Sequence, residues 1–462
     1  MTTQAKIDNP KTPRPDDVEF DNEAYTNPKY AGTVWYIADH LKDPTKPIIP
    51  LAALPPAKRQ LNADFIDSIS DALGLGNIKP RDRIRHGHRN LSACSLTSVV
   101  AANWSGAYKY AKDITEQVND EVKNKWVESP LPVPSTWPFR LEQQNGISQG
   151  VKENGDPKVR RATDKGHGLD SVNQCIELVS KLKLCTNLQI GRGAAILTTA
   201  DEGPRATPND DEDPNDPSTV ADDMRTYLWK IDLTAAYRQV LVHLLFLWMC
   251  HTSWDGKVYL DRRMQFGDKS AVEGFQSITN LLLCAAQAAI DGDVAMRAAV
   301  PHAAHLWQYI DARPTNEAFR RWELERLNAF GEGPQLRLNH TDGYIDDFMG
   351  SVYGRRRAYA VAAVHRAFIG EGGANFPLKA SKECLPMPSM VALGGSIDTD
   401  SKLATLSDER AEKYSAQTEE VLNSTRFDSD EFHQYTSRLV SAAQYEPAGR
   451  AWLVPSFCAL QQ

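Results

Sequence analysis

The chain lacks the features that mark secreted, zinc-binding and membrane proteins. Its 462 residues include seven cysteines but no C-x-x-C pair, which argues against a disulfide framework and a zinc ribbon. The longest apolar run near the middle of the chain, 240–250, includes a histidine and is too short for a membrane helix. The N-terminal residues contain no apolar signal-peptide segment. We therefore expect an intracellular protein, cytoplasmic or nuclear, with no membrane segment.

A net positive charge is also missing. The chain has 52 Lys and Arg against 60 Asp and Glu, a formal net charge of −8, whereas nucleic-acid-binding proteins neutralise phosphates with Lys and Arg. Nine of the acids and one of the bases lie in 201–223, which leaves 51 of each sign elsewhere. This segment holds four prolines and few apolar residues, so we interpret it as a solvated, projecting loop. The charge balance therefore does not exclude a nucleic-acid partner.

The composition of the chain is typical of a globular protein, with 41% apolar and 24% charged residues. Residues 1–22 are polar and proline-rich and are predicted to be disordered. Apolar residues recur at helical spacing in 108–126 and 271–289. An Asn-Gly pair at 154–155 and an Asp-Gly pair at 255–256 predict two β-hairpins.

Three aspartates lie in apolar segments that have the pattern of strands. Asp346 and Asp347 are adjacent within GYIDDFMG, and Asp232 ends the segment YLWKID. Buried neighbouring acids are costly unless a cation neutralises them. Carboxylate oxygens suit Mg²⁺, with Mn²⁺ as the alternative, and two such ions could activate a hydroxyl and hold a triphosphate. An isolated Asp-Asp pair is, however, more often a solvated turn between two strands.

Six segments in the same order as in a known family make this pattern more specific. YIDD at 344–347 resembles the Y-x-D-D motif of reverse transcriptases, and 230–240 resembles the metal-binding strand that precedes it. Residues 150–176 and 259–276 are similar to the fingers hairpin and to the P-F-G element of these enzymes. After the Y-x-D-D, LKASKECLPMPSMVALGGSIDT and FHQYTSRLVSAAQYEPAGRAWL resemble reverse transcriptases of DIRS/Ngaro-like retrotransposons, whose integrase is a tyrosine recombinase.

The resemblance implies an α+β right-hand polymerase fold with fingers, palm and thumb, in which an antiparallel palm sheet is backed by helices. It divides the chain into an N-terminal extension, fingers that include the acidic segment, a palm, and thumb or connection-like helices. These parts correspond to residues 1–125, 126–225, 226–400 and 401–462.

The resemblance also implies roles for individual residues of the active site. Asp232 and Asp346 match the acids that bridge two Mg²⁺ ions, and Asp347 matches a third, more peripheral acid. Tyr237 matches the aromatic residue beneath the incoming sugar, which rejects a 2′-hydroxyl; a packed core tyrosine is the alternative. Lys382 matches a lysine that protonates departing pyrophosphate, and a surface lysine is equally compatible with the sequence.

Further residues match nucleotide-binding positions of the family. Phe266 and Gly267 match the P-F-G element, where glycine allows the backbone to approach the nucleotide. Gln265 replaces the proline of that element, a departure that puts the rigidity of the loop in doubt.

Lys152 and Arg160 match the basic residues of the fingers hairpin that hold the triphosphate. Lys158 competes with Lys152 for this role, and a solvated charged turn is the alternative for both positions. The arginines 355–357 would suit contacts to primer phosphates, although a charged helix start is the simpler interpretation.

The sequence therefore predicts an RNA-directed DNA polymerase, a nucleotidyltransferase that uses Mg²⁺, dNTPs and a primer on an RNA or DNA template. The alternative is a domesticated or decayed, non-catalytic nucleic-acid-binding protein. The three intact aspartates favour the enzyme, whereas Gln265 and the acidic segment favour the alternative. An RNA-directed RNA polymerase is a weaker alternative, because Tyr237 occupies the space that a ribose hydroxyl would need.

Overall fold

The computed structural model describes residues 33–35, 50–53, 61–76, 79–90, 92, 94, 99–128, 130, 139–151, 155–167, 171–176, 184–207, 211–213, 216–330, 337–424, 429–445 and 453. Lys152 and the N-terminal residues 1–22 lie outside the described residues. The chain divides into two units. The first unit comprises Met1–Leu182, Ala235–Leu281 and Ala374–Phe376, and the second comprises Lys183–Thr234, Leu282–Gly373 and Pro377–Gln462.

The described strands, in chain order, are β1 (Thr33–Trp35), β2 (Pro50–Ala53), β3 (Val99–Val100), β4 (Arg140–Val151), β5 (Pro157–Asp164), β6 (Thr226–Asp232), β7 (His251–Trp254), β8 (Lys257–Leu260), β9 (Asn339–Tyr344), β10 (Asp347–Tyr353), β11 (Cys384–Met387), β12 (Ser389–Ala392), β13 (Gly395–Asp398) and β14 (Leu403–Leu406).

The described α-helices are α1 (Ala63–Ala72), α2 (Lys79–His86), α3 (Ser105–Lys109), α4 (Ala111–Lys123), α5 (Asn187–Leu197), α6 (Ala236–Gln239), α7 (Lys269–Ile290), α8 (Val294–Ala299), α9 (Trp307–Asp311), α10 (Glu317–Phe330), α11 (Arg355–Ile369), α12 (Asp408–Asn423) and α13 (Ser429–Ala442). None of the helices in the described part of the chain combines the length and the apolar character needed to cross a bilayer. The predicted α+β class is confirmed; the boundaries of fingers, palm and thumb stay predictions.

The first unit is built on a sheet with the strand order β3-β4-β7-β8, and β5 pairs with β4. The hairpin β7–β8 closes through Asp255 and Gly256, whose φ angles are +48° and +69°. Asp-Gly favours such a turn because both residues tolerate positive φ. The hairpin β4–β5 includes Gly155 at φ +82°. Both predicted hairpins are confirmed.

Helix α4 confirms the helical pattern predicted in 108–126. Its buried residues Ile114 and Val118 follow the spacing of one helix face and form a core cluster with Trp254 and Tyr259 of the β7–β8 hairpin. Helix α7 likewise confirms the pattern predicted in 271–289.

The second unit is built on a four-stranded antiparallel sheet with the order β11-β6-β10-β9, and a helix packs on each face. Side chains of β6 alternate between these faces. Trp229 meets His365 of α11, with ring centroids 4.6 Å apart. Its neighbour Leu228 joins Met349 of β10 and Ile190 of α5 in a core cluster on the opposite face. Because side chains repeat every two residues, Lys230 and Asp232 lie on the α5 face as well.

The acidic segment 201–223 belongs to the second unit, and several of its acids bind other residues of that unit. Glu212 forms a two-bond ion pair with Arg355 of α11 at 2.8 and 2.7 Å, and the side chains are only 7% and 2% exposed. Asp201 accepts a hydrogen bond from Thr226, and Asp223 accepts one from Tyr227. The interpretation as a projecting, solvated loop is therefore wrong for these anchoring residues. Composition does not show which arginine or hydroxyl side chains elsewhere in the chain bind the acids.

The arginines at the start of α11 contact the protein itself. Arg356 donates to the carbonyl oxygen of Val220 at 2.8 Å, and Arg357 donates to the carbonyl oxygens of Ile310 and Ala312. With the Arg355–Glu212 pair, these bonds engage all three arginines within the protein. They agree with the simpler interpretation of a charged helix start and link α11 to neighbouring segments. The suggested contacts to primer phosphates find no support in this arrangement.

Replacement of Arg355 by leucine should lower the free energy of unfolding by about 3 kcal/mol, because it leaves the buried Glu212 carboxylate unpaired. Arg321→Leu is the matched control: its ion pair with Glu317 is exposed, and its loss should cost less than about 1 kcal/mol. Urea unfolding of the two variants measures the difference. Equal losses in both would contradict a buried anchor at Glu212.

Candidate carboxylate site

The three predicted aspartates meet at one end of the second unit's sheet. In the antiparallel pairing of β6 with β10, Asp232 lies directly opposite Asp347. Strands β9 and β10 form a hairpin whose two-residue turn is Ile345 and Asp346. The backbone N–H of Leu233 donates to the carbonyl oxygen of Asp346 at 3.3 Å, which ties this turn to the end of β6. Residues far apart in sequence are thus brought together by strand pairing.

The turn that carries Asp346 contains an unusual backbone conformation. Ile345 has φ +56°, at the first position of a two-residue hairpin turn where glycine is the usual residue. A β-branched residue in the left-handed region costs about 1–2 kcal/mol. Such strain is found most often at functional sites, where the surrounding structure holds it in place.

Two lysines neutralise the outer acids of the cluster. The Nζ atom of Lys230, in β6, lies 2.9 Å from Oδ1 of Asp347. The Nζ atom of Lys382, in a 3₁₀ turn, lies 3.2 Å from Oδ2 of Asp232. Lys382 was predicted as a site residue and does lie beside the predicted acids. Lys230 was not predicted, although its position two residues before Asp232 in a strand was a usable signal, since such residues share a face.

Burial makes the ionised forms of Asp346 and Asp347 costly. Burial raises the pKa of Asp347, Lys230 opposes the change, and the charges of Asp346 and Asp232 add to it, which together give a pKa of about 6. Burial also raises the pKa of Asp346, with Asp232 adding to the effect. A nearby cation would favour the ionised forms. The cluster is therefore short of positive charge despite its two lysines.

The donor chemistry of the cluster fits a hard divalent cation. Within the described residues, no three His, Cys, Asp or Glu side chains are arranged, as they stand, to hold a metal ion. Asp232 and Asp347 are engaged by lysines instead. Three carboxylates with a deficit of positive charge are nevertheless the oxygen donors that Mg²⁺ prefers. Cys185 is close by, and burial raises the pKa of its thiol to about 12, but sulfur is a soft donor that a hard cation such as Mg²⁺ does not favour. The metal role of the aspartates stays a prediction.

Of the predicted nucleotide-binding residues, Lys382 lies beside Asp232 in the second unit, whereas Tyr237, Phe266, Gly267 and Arg160 lie in the first unit. The ring of Tyr237, which is buried, packs edge-on against Phe266 at 5.1 Å and Phe275 at 5.5 Å. The guanidinium of Arg160 lies over the Phe266 ring, 4.6 Å from its centroid. The structure thus brings Tyr237, Phe266 and Arg160 together. Lys158 is exposed on the same hairpin as Arg160.

The glycine of the P-F-G-like element is required by the protein itself. Gly267 has φ +99°, and an added Cβ would lie 1.9 Å from the carbonyl oxygen of Thr163 in β5. The backbone N–H of Thr163 donates to the carbonyl oxygen of Phe266 at 3.2 Å, so this turn is packed against the β4–β5 hairpin. Gln265 is buried and donates to Asp261 at 3.2 Å. These contacts fix the loop without the proline of the family pattern.

Comparisons with known proteins give a likeness to solved structures alone. No protein-family model and no curated protein sequence matches the chain. Among the solved structures, a foamy viral protease-reverse transcriptase in complex with double-stranded DNA gives a TM-score of 0.46 at 12% identity, over 87% of this chain and 56% of that one. The same kind of protein in complex with an RNA/DNA hybrid gives 0.42 at 13% identity, over 86% of this chain and 42% of that one.

This chain therefore spans about half the length of those two proteins. Because both TM-scores lie below 0.5, the function has to be inferred from this chain's own residues.

Alanine at position 267 should lower the free energy of unfolding by about 3 kcal/mol, because it combines an unfavourable φ with a clash against Thr163. Gly155→Ala is the matched control: φ is also positive, but none of the described residues lies within 4 Å of the added Cβ. That variant should lose about 1 kcal/mol. Denaturant unfolding compares the two, and similar losses would show that the close approach to Thr163 carries no cost.

The raised pKa of Asp347 predicts a pH dependence in buffer without divalent cations. A carboxyl group with a pKa of about 6 in the folded state and about 4 unfolded binds more protons when folded. Its contribution is fully present below about pH 4 and is lost as the pH rises through about 6. Asp347→Asn should therefore reduce the fall in unfolding free energy between these pH values. Identical slopes for the native and variant proteins would contradict the burial argument.

Proposed function

We propose that the chain is an RNA-directed DNA polymerase, a reverse transcriptase that adds dNTPs to a primer 3′-hydroxyl on an RNA or DNA template. The observation that carries this proposal is the meeting of Asp232, Asp346 and Asp347 at paired strand ends. The sequence around each acid resembles the corresponding reverse transcriptase motif. The segments after the Y-x-D-D support an origin in a DIRS/Ngaro-like retrotransposon.

The proposed cofactor is Mg²⁺, with Mn²⁺ as the alternative, held by Asp232 and Asp346 with Asp347 beside them. Bound there, it would supply a lowered pKa for the primer hydroxyl and charge neutralisation for the triphosphate. The chain's own contribution is the fixed position of the carboxylates. The bond from Leu233 to Asp346 and the pairing of Asp232 with Asp347 hold them without a contribution from flexible loops.

Lys382 is the proposed proton donor to the departing pyrophosphate. Its side chain is half-exposed and its Nζ atom already lies beside Asp232, so it can turn toward an anionic group when the Asp232 carboxylate is otherwise occupied. In the first unit, Tyr237 and Arg160 are the proposed contacts to the sugar and the triphosphate of a dNTP. This assignment rests on the resemblance of their motifs.

A second candidate function is nucleic-acid binding without catalysis. The observation that favours it is the pair of lysine–aspartate contacts, because permanent ion pairs at Asp232 and Asp347 would exclude a metal. A domesticated or decayed reverse transcriptase would then retain the fold and a binding surface. A measurement of DNA synthesis distinguishes the two candidate functions, because only the polymerase extends a primer.

Primer extension on an RNA template with Mg²⁺ and dNTPs tests the proposal. Asp346→Asn should lower the rate by about 100-fold or more, since it removes a carboxylate from a site that stabilises transition-state charge. Asp342→Asn makes the same change elsewhere on the hairpin, in strand β9, and should stay close to the native rate. Equal extension by the native protein and Asp346→Asn would overturn the proposal. Primer–template binding by the native protein with no extension at any salt concentration would support the second candidate.

A further inference from the structure

Lys230 differs from Lys382 in how firmly the fold holds it. It lies in the middle of the sheet, where Met349 of β10 is its partner on one side and Cys384 of β11 its partner on the other. Its side chain is 14% exposed, whereas that of Lys382 is 51% exposed. Lys230 is therefore flanked by a neighbouring strand on each side, and its side chain is more shielded from solvent than that of Lys382. The contact of Lys230 with Asp347 is therefore part of the sheet, whereas that of Lys382 with Asp232 is exchangeable.

The charges of the cluster can be counted from these contacts. Three ionised carboxylates carry three negative charges, and the fixed ammonium of Lys230 reduces this to two. Two negative charges match a single divalent cation. Lys382, which is half in water, is screened and contributes less. Lys230 thus compensates Asp347 from within the protein and leaves Asp232 and Asp346 as the acids open to a cation.

We propose that Lys230 is a positioning residue that acts as a built-in cation: it holds the Asp347 carboxylate and thereby limits the affinity of the site for divalent cations. The inference rests on the proposed function, since it concerns the same carboxylates. It explains how the buried Asp232 and the half-buried Asp346 and Asp347 can stand together before any ligand binds. It also assigns Asp347 a role distinct from that of the other two acids, as the partner of a lysine.

Calorimetric titration of the full chain with Mg²⁺, in the absence of nucleotide and nucleic acid, tests this inference. Lys230→Met should bind Mg²⁺ about tenfold more tightly, because a positive charge close to the cation is removed. Lys230→Arg keeps the charge and should bind as the native protein does. Lys382→Met should change the affinity less than Lys230→Met, since solvent screens its charge. An unchanged or weaker affinity in Lys230→Met, or an equal gain in Lys382→Met, would overturn the proposal.

If Lys230→Met does not fold, Asp347→Asn and the double variant Asp347→Asn with Lys230→Met test the role of Lys230 instead. Asp347→Asn alone leaves Lys230 uncompensated and should weaken Mg²⁺ binding by about tenfold. Adding Lys230→Met to Asp347→Asn removes both charges of the buried pair and should restore nearly native affinity. A double variant that binds no better than Asp347→Asn would refute the role of Lys230.

These titrations involve no turnover, so a chain that fails in primer extension can still confirm the inference. Conversely, active polymerase with unchanged Mg²⁺ affinity in Lys230→Met would refute the inference and leave the proposed function intact.

Discussion

The antiparallel pairing of β6 with β10 is the constraint on which the carboxylate cluster depends. Its register places Asp232 opposite Asp347, and the turn that precedes β10 adds Asp346. A slip of one residue would move Lys230 and Asp232 to the face covered by α11. The register is fixed by apolar packing on both faces: Trp229 against α11, and Leu228 against α5. The hydrophobic core of the second unit therefore determines where the charged residues meet.

Ion pairs within the protein neutralise part of its acidic charge. The acidic segment 201–223 is compensated in part by Arg355, and the carboxylate cluster in part by Lys230 and Lys382. The net charge of −8 is therefore a poor guide to the potential of any one surface. In the second unit, basic side chains of α12 and α13 line a groove that Lys230 also borders, among them Arg410, Lys413 and Arg438. One acid, Glu409, lies among them, so the groove has a local excess of positive charge that an overall count cannot show, and binding of phosphates there would be salt-sensitive.

Local features of the fold were predictable from the sequence, and non-local ones were not. The Asp-Gly turn, helix α7 and the strand that ends at Asp232 follow from short patterns, because turn chemistry and periodicity act over a few residues. The partners of Lys230 and Glu212 could not be predicted, because an ion pair between distant segments leaves no spacing signal. The left-handed Ile345 contradicts its own residue preference and is imposed by the hairpin. Gly267 was predicted as a glycine of close approach to a nucleotide, which stays a prediction; the close approach in the structure is to the backbone of Thr163.

Three local energetic costs coincide at one end of the second unit's sheet. A strained Ile345, an Asp346 carboxyl of raised pKa and an Asp347 carboxyl with a pKa of about 6 all oppose folding there. Stability alone gives no reason to keep them, since neutral side chains would remove the cost, and such concentrations are expected at functional sites. Among the described residues, Asp232 and Asp347 each have a lysine partner, whereas Asp346 forms no ion pair with a lysine or arginine. Asp346 is therefore the acid that the proposed cation could contact without displacing a lysine.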